Sequence, residues 1–429
     1  MTTRRHFLLS SSAAALTTAA RAQSPSPNSR LRVAVMGLGR GMDHIKGWMA
    51  VPNVEIAGLC DVDRRRVESG GAAVTRAGQS SPPRLETDVR RLLEDPSIDV
   101  LSIAAPNFWH TPATILACAA GKHVYVEKPG SHTGQESEWI GAAAAAHRRL
   151  VQQGTQRRSL PAMREAIQRL KEGAIGTVRS ARCWYTANRG AISLKPGAPL
   201  PDWLDWTLWQ GPCPDQPYLD GLVHYNWHWR WHYGGGELAN NGVHALDLAL
   251  WGLDACWADK NGGPLNPLVA SCTGGRYHFK NDQQTPDTFT AAFDFGHCGA
   301  FLDNSSCSQR KGADQNAFVT FYGDSGSLAL SSSGYKIFDP MGAKTAENEP
   351  PFDDRPHFLN LANAIREGTP LHCDITTGQR SARLCHLGNI AHRLQTTLVC
   401  DPSTGTPKNN PAAQALWSKP YRPGWEPKI

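Results

Sequence analysis

The stretch of this chain richest in chemistry runs from His224 to Gly252, HYNWHWRWHYGGGELANNGVHALDLALWG. Three glycines, Gly234 to Gly236, introduce Asn240, His244 and Asp247 at i, i+4, i+7, a spacing that predicts one face of a helix. Val243, Leu246, Leu250 and Leu253 form a neighbouring apolar stripe, so the helix can dock on a core while the polar row meets a ligand. Upstream, histidines and tryptophans alternate. In an extended chain His224, Asn226, His228, Arg230 and His232 would point one way and Tyr225, Trp227, Trp229, Trp231 and Tyr233 the other. One hydrogen-bonding face and one aromatic face suit a polyhydroxylated ring. A helical run would instead stack His224, His228 and His232 as zinc ligands. No cysteine pattern or H-E-x-x-H accompanies them, and no metal is expected.

A second cluster lies near the start. The apolar run Leu31–Met36 leads into Gly37-Leu38-Gly39-Arg40-Gly41, and the run Val54–Cys60 ends in Asp61. Glycines let a backbone turn tightly beside a pyrophosphate, whose charge then sits on the N–H groups opening the next helix. An acid at the second strand's end meets the adenosine ribose. The turn departs from G-x-G-x-x-G, since Met42 stands in the third glycine's place and Gly41 comes one residue early. Asp61 would repel a 2′-phosphate and favours NAD over NADP, while Arg64 to Arg66 leave room for NADP.

These residues need a scaffold. Over 31–128, apolar runs (also Asp99–Ala104 and His123–Val126) alternate with helix-like segments at Asp63–Ala77, Asp88–Leu93 and Thr111–Ala120. That alternation predicts a doubly wound parallel sheet. Its third and fourth strands end in Ala105-Pro106-Asn107-Phe108-Trp109-His110 and Glu127-Lys128-Pro129, at the edge where open α/β sheets hold ligands. Helices at Thr133–His147 and Met163–Lys171 follow. Strands are expected at Thr177–Thr186, Leu268–Thr273, Thr288–Phe295, Ala317–Gly323 and Ser327–Ser331, the makings of an open, mainly antiparallel sheet backed by helices. Asp202–Gly211 reads as a surface-packed linker, and 256–286 and 340–356 read as loops.

The ends and composition narrow the setting. Arg4-Arg5, a weakly apolar run and Ala20-Arg21-Ala22 read as a twin-arginine export signal cleaved after Ala22, which predicts an exported, periplasmic protein that meets the Tat machinery. Removing 1–22 takes Arg4, Arg5 and Arg21 from a formal charge of +6, leaving +3, a balance that argues against nucleic acid. No later stretch is apolar for long enough to span a membrane. The eleven cysteines are dispersed without a C-x-x-C pair, which suits a chain folded in a reducing compartment before export. The expected domains are therefore 1–22 (signal), 30–150 (NAD(P)-binding Rossmann domain) and 151–429 (substrate-binding and oligomerisation α+β domain, with C-terminal helices near 354–395).

Taken in order, the Gly-rich turn, P-N-x-x-H, G-K-H-V-Y-V-E-K-P and G-G-G-x-x-x-x-x-G-x-H-x-x-D resemble the glucose–fructose oxidoreductase / inositol dehydrogenase (Gfo/Idh/MocA) family. The segments from His357 to Asn360 and from Cys385 to Ala391 resemble its C-terminal helices. The resemblance implies an NAD(P)-linked oxidoreductase acting on a sugar, glycoside or cyclitol, assembled as a homo-oligomer. It implies a nucleotide held by Gly37, Gly39, Arg40, Gly41, Asp61, Asn107, His110, Glu127 and Lys128. Loss of hydride from an alcohol needs the hydroxyl proton to leave, so a base must lie in reach and a cation favours the alkoxide. The family's motifs map the cation onto Lys128 and the base onto His244. The family's aspartate four residues before that histidine is here Asn240, which can orient but cannot add basicity. Arg158, His228, Trp229 and Asp247 are further candidates for holding substrate. Two other functions compete. One is a glycosidase using transient oxidation by bound NAD, although the Y-P-T-H-G stretch of the family's N-acetylgalactosaminidases is missing. The other is a non-catalytic sugar- or nucleotide-binding relative.

Overall fold

Leu31, Val33 and Val35 face one core and Ala34 and Met36 another, so the first strand is buried on both sides. A near-continuous apolar run is what a central parallel strand requires, because helices cover both faces. The computed structural model describes residues 30–307 and 318–429. The twin-arginine segment lies outside them, as does Ala317 of an expected strand.

Strands β1 (Leu31–Met36), β2 (Val54–Cys60), β3 (Arg84–Glu86), β4 (Val100–Ile103), β5 (His123–Glu127) and β6 (Val151–Gly154) form a parallel sheet in the order β3-β2-β1-β4-β5-β6. The order reverses direction beside β1. The crevice above β1 and β4 is therefore the place where such sheets bind ligands. β3 and β6 were not expected from the sequence: one is short and largely exposed, and the other is the polar run VQQG.

Beyond β6 a second sheet is built from β7 (Val178–Thr186), β10 (Val269–Gly275), β11 (Thr288–Asp294), β12 (Gly299–Ser305), β13 (Val319–Gly323), β14 (Gly326–Leu330), β15 (Tyr335–Phe338), β16 (Lys344–Asn348) and β17 (Leu398–Val399). A small separate pair joins β8 (Lys195–Pro196) to β9 (Leu219–Asp220). The large sheet runs β16-β15-β14-β13-β7-β12-β11-β10-β17 and is antiparallel except where β7 lies parallel to β12. Val178, Ala181 and Cys183 of β7 pack against Leu246, Leu250 and Leu253 of the helix Val243–Asn261 in one core. The apolar stripe thus docks as its spacing predicts.

Three loop readings are corrected. The helix starting at Val243 runs on to Asn261, where Gly262 (φ +72°) ends it in a left-handed turn. Within 340–356, Lys344–Asn348 pairs with β15 as an edge strand, solvated enough to carry no apolar signal. Asp202–Gly211 is not a surface linker. It holds the short helix Trp206–Gln210, and Trp206 and Trp209 are buried in the core shared with β1, β4 and β5.

Candidate active site and its relatives

The glycine turn is shaped by what passes behind it. Gly37 has φ +84°, and a Cβ there would stand 2.7 Å from the backbone of Ala104 and Ala105 at the end of β4. Only glycine fits. Gly41 does not reach the cleft: a Cβ there would press Val35 at 3.0 Å, so its role is close helix–strand packing. The helix Gly41–Met49 has no side-chain cap at its start. The N–H groups of Met42, Asp43 and His44 bond back to Gly39 O and Arg40 O, so what the turn itself presents to the cleft is Gly37, Gly39 and Arg40.

A cleft of about 530 Å³ begins at this turn and ends at His244. Of the residues singled out from the sequence, Gly37, Gly39, Arg40, Asp61, Asn107, His110, Glu127, Lys128, His228, Asn240 and His244 line it. Asp61, at the turn end, accepts from Leu38 N (2.7 Å) and Asp63 N (2.9 Å), so it also braces the glycine turn. Burial raises its pKa, against those two hydrogen bonds and the charge of Arg66.

At the opposite end β5 delivers Glu127 and Lys128. Glu127 is 5% exposed and accepts from His44 (3.2 Å), Arg40 (3.4 Å), Gln156 (3.2 Å) and Lys128 N (3.1 Å). Burial pushes its pKa up, but the His44 hydrogen bond and the charges of His44, Arg40 and Lys128 outweigh it, and the carboxylate stays ionised. Lys128 Nζ donates to Asn240 O (2.8 Å) and Oδ1 (3.2 Å). Burial lowers its pKa and Glu127 opposes that. His110 donates through Nε2 to Ala105 O (2.8 Å), leaving Nδ1 a buried acceptor without a partner among the described residues; burial lowers its pKa to about 4.

His244 hydrogen-bonds to no described residue, and its pKa falls well below 6.5, first through burial and then through Arg157 and Lys128. It stands as a neutral imidazole with its valences open to the cleft. Asn240 lies in a π-helical turn, Leu238–Gly242, which runs straight into the helix Val243–Asn261. The wide turn and the first α-turn together aim Asn240 and His244 into the cleft.

Asp247, one turn further, does not join them. Its carboxylate takes Arg158 Nε at 2.8 and 3.0 Å and Ser381 Oγ at 2.7 Å, and Arg158 lies over the Trp251 ring. Both partners of the pair are buried, so Arg158 and Asp247 are scaffold and not the substrate contacts expected of them. Trp229 is also withdrawn. It is 2% exposed, with Arg189 lying over its ring. His224, His228 and His232 serve three separate partners, Asp63, Tyr225 O and Pro214 O, so neither the extended nor the helical reading of that run holds. Instead 226–229 makes a 3₁₀ turn with Trp227 stacked on His228 at 3.6 Å.

One network was missed in the sequence. Arg189 pairs with Glu237 (2.5 and 2.9 Å) and donates to Tyr225 OH (2.9 Å), while Asn241 Nδ2 donates to the Glu237 Oε1 that also receives Arg189. It fixes the π-helical turn and Tyr225, a cleft residue, but its members are 48 and 36 positions apart. No local spacing could reveal it.

Residues 31–155 match the description "Oxidoreductase family, NAD-binding Rossmann fold", and residues 177–255 match "Oxidoreductase family, C-terminal alpha/beta domain", both of the Gfo/Idh/MocA family. In both stretches the chain is similar to the Gfo/Idh/MocA family. A "Glycosyl hydrolase family 109 protein" of Saccharopolyspora erythraea is 38% identical over 110 residues, 25% of this chain and 24% of the relative. A levoglucosan dehydrogenase of Pseudarthrobacter phenanthrenivorans is 36% identical over 114 residues, 27% of this chain and 28% of the relative. The matches thus span about a quarter of these relatives' length. Among solved structures, the aldose–aldose oxidoreductase of Caulobacter crescentus complexed with glycerol superposes with TM-score 0.64 at 19% identity, covering 86% of this chain and 99% of that one. The WlbA dehydrogenase of Bordetella pertussis, in complex with NADH and UDP-GlcNAcA, gives 0.65 at 16% over 87% and 99%. These likenesses carry the Gfo/Idh/MocA fold.

The cleft fits a nicotinamide dinucleotide on its own features: the tight glycine turn of Gly37 and Gly39 lining it, a buried acid at the ribose position, and the open acceptor on His110. Gly37, Gly39, Arg40, Asp61, Asn107 and His110 are placed to hold it.

Proposed function

We propose that this chain is an NAD(P)-dependent oxidoreductase acting on a ring hydroxyl of a sugar, glycoside or cyclitol. The observation that carries the reading is the meeting, in the same cleft as the glycine turn and Asp61, of Lys128 Nζ and a His244 that hydrogen-bonds to no described residue. When bound, the nicotinamide supplies the hydride acceptor. Lys128 Nζ, aimed by Asn240, donates a hydrogen bond to the reacting hydroxyl and favours its alkoxide. His244, kept neutral by burial and by its cationic neighbours, accepts the hydroxyl proton at a ring nitrogen. Asn240 holds the ammonium without neutralising it, which leaves Lys128 its full charge toward the substrate oxygen. Tyr225 and His228 offer a flat face and ring edges to a polyhydroxylated substrate. Asp61 favours NAD over NADP.

The twin-arginine signal adds a setting. In this reading the enzyme folds and loads its nucleotide in the cytoplasm, crosses the membrane folded, works in the periplasm as a homo-oligomer, and recycles a cofactor that it retains. Denaturing the purified protein and assaying the supernatant for nicotinamide nucleotide tests retention, with stoichiometric NAD(H) or NADP(H) expected and none found counting against it. Adding sugars to the loaded protein should produce enzyme-bound reduced cofactor. The glycosyl hydrolase names among the relatives favour a second reading, net glycoside cleavage with transient oxidation. Release of free sugar without net reduced cofactor would support that instead.

A further inference from the structure

Residues 201–224 leave the second domain and lie across the mouth of the first. The crossing is stitched by backbone and by rings. Arg64 N donates to Trp203 O (3.2 Å), Asp205 N donates to Val62 O (3.0 Å), and Asp63 bridges to Leu204. The Arg65 guanidinium lies 3.6 Å above the Trp203 ring, and Asp63, 1% exposed, takes His224 Nε2 at 3.0 Å. Deeper in, Trp209 O accepts from Trp109 Nε1 (3.0 Å) and the Trp206 and Trp209 rings stack at 4.7 Å. The inner side of this strap, with Leu208, Trp209, His224 and the adjoining Trp227, lines the same cleft as Asp61.

Position decides what that wall would meet. Asp61 ends β2, the place where the adenosine ribose sits in this sheet architecture, so an adenine beyond it would lie beside the strap. A purine is flat and largely apolar, and indole and leucine side chains are the surfaces that desolvate and stack on it. Arg65 and Trp203 lie on the far side of the stitching and do not line the cleft. They hold the wall without touching the ligand.

We propose that residues 201–224 form the adenosine wall of the nucleotide site, with Leu208, Trp209 and Trp227 against the adenine. The seam at Asp63, Arg65, Trp203 and His224 then sets how long the nucleotide stays. This rests on the dinucleotide reading of the cleft. Opening the seam frees the adenosine end, and slow release follows from the number of stitches that must part together.

The test follows release and not turnover. Wild-type protein, Trp203→Ala and Arg65→Ala are loaded with NADH, diluted into excess unlabelled NAD, and followed by the fluorescence of bound NADH. At least tenfold faster release is expected in both variants, with unchanged circular dichroism. Reduced nicotinamide mononucleotide, which lacks adenosine, should bind all three proteins alike. Should Trp203→Ala not fold, Arg65→Ala decides, since its side chain is largely exposed and supports no core. Folded variants that release NADH at the wild-type rate would overturn the proposal, as would variants that weaken the mononucleotide equally. Wild-type protein that binds ADP-ribose but not NADH would keep the wall and sink the oxidoreductase reading; binding neither removes both.

Discussion

Two cations in this molecule sit within reach of one helix, and their surroundings differ. Arg158 meets Asp247 in a buried pair that Ser381 completes, so little hydrogen-bonding capacity of the carboxylate is left over. Lys128, at the end of β5, faces that helix less than two turns back and bonds through Nζ to the backbone and side-chain oxygens of Asn240, with His244 beside it bonded to no described residue. Both regions are deep. What separates them is that one is saturated and the other is open, and open valences at the C-terminal edge of a parallel sheet are what a reacting molecule would use.

Breaking the open region should have the largest effect. Lys128→Met removes the ammonium that favours an alkoxide and is expected to lower kcat about 10³-fold, on the order of 4 kcal/mol of transition-state stabilisation, with the melting temperature little changed. His244→Ala should cost about 10²-fold. Steady-state kinetics on the sugar that reduces the bound cofactor checks both. Full activity in Lys128→Met would erase the distinction between the two cations.

Breaking the closed region should show in stability. Asp247→Ala leaves the Arg158 guanidinium buried without its counter-charge, which costs about 3–5 kcal/mol. Chemical denaturation reads that loss directly. Activity per folded molecule should remain near wild type, because neither partner lines the cleft. A variant as stable as wild type but inactive would return Asp247 to the site.

A subtler change sharpens the contrast by making the open pair resemble the closed one. Asn240→Asp places a carboxylate where an amide oxygen now receives Lys128 at 3.2 Å. The added charge should raise the ammonium's pKa by about one unit. Because a lysine whose pKa is raised stays charged to higher pH, the basic limb of the kcat profile should move upward by about as much. An unmoved limb would mean that Lys128 does not govern it.

The closed pair also shows where reading a sequence stops. The motif positions of Lys128, Asn240 and His244 were legible because each is tied to a strand end or a helical spacing, and the spacing is local. Asp247 shares that spacing, yet its partner lies 89 residues away, and nothing local announces it. The parallel strands β1, β2, β4 and β5 were legible because burial on both faces makes continuous apolar runs. β12, GAFLDNS, was not, since Asn304 and Ser305 are buried polar residues in a strand whose register is set by β7 and β11. The indoles of 203–209 were visible as composition, but which surface they cover depends on the pairing of Leu204 with Asp63 across 141 positions.

Burial alone does not separate the two regions, and pH can show this. His110 and His228 line the cleft, while His357 and His386 lie in the scaffold; burial lowers the first and third to about 4 and the second and fourth to about 3. In the unfolded chain each would titrate near 6.5. As pH falls below that value the unfolded state takes up protons that the folded state refuses. Stability is therefore complete above about pH 6.5 and is lost progressively as pH drops toward 4. Denaturation curves at pH 7, 6 and 5 should show this fall. Replacing one histidine by asparagine in either region, His228 or His386, should each relieve about 1 kcal/mol per pH unit of the slope between pH 6 and 5. Equal relief is the expected outcome, because both imidazoles are kept neutral by burial whether their surroundings are open or closed. Relief from the cleft histidine alone would show that the scaffold accommodates an imidazolium, and the contrast drawn above would then rest on charge as well as on hydrogen bonding.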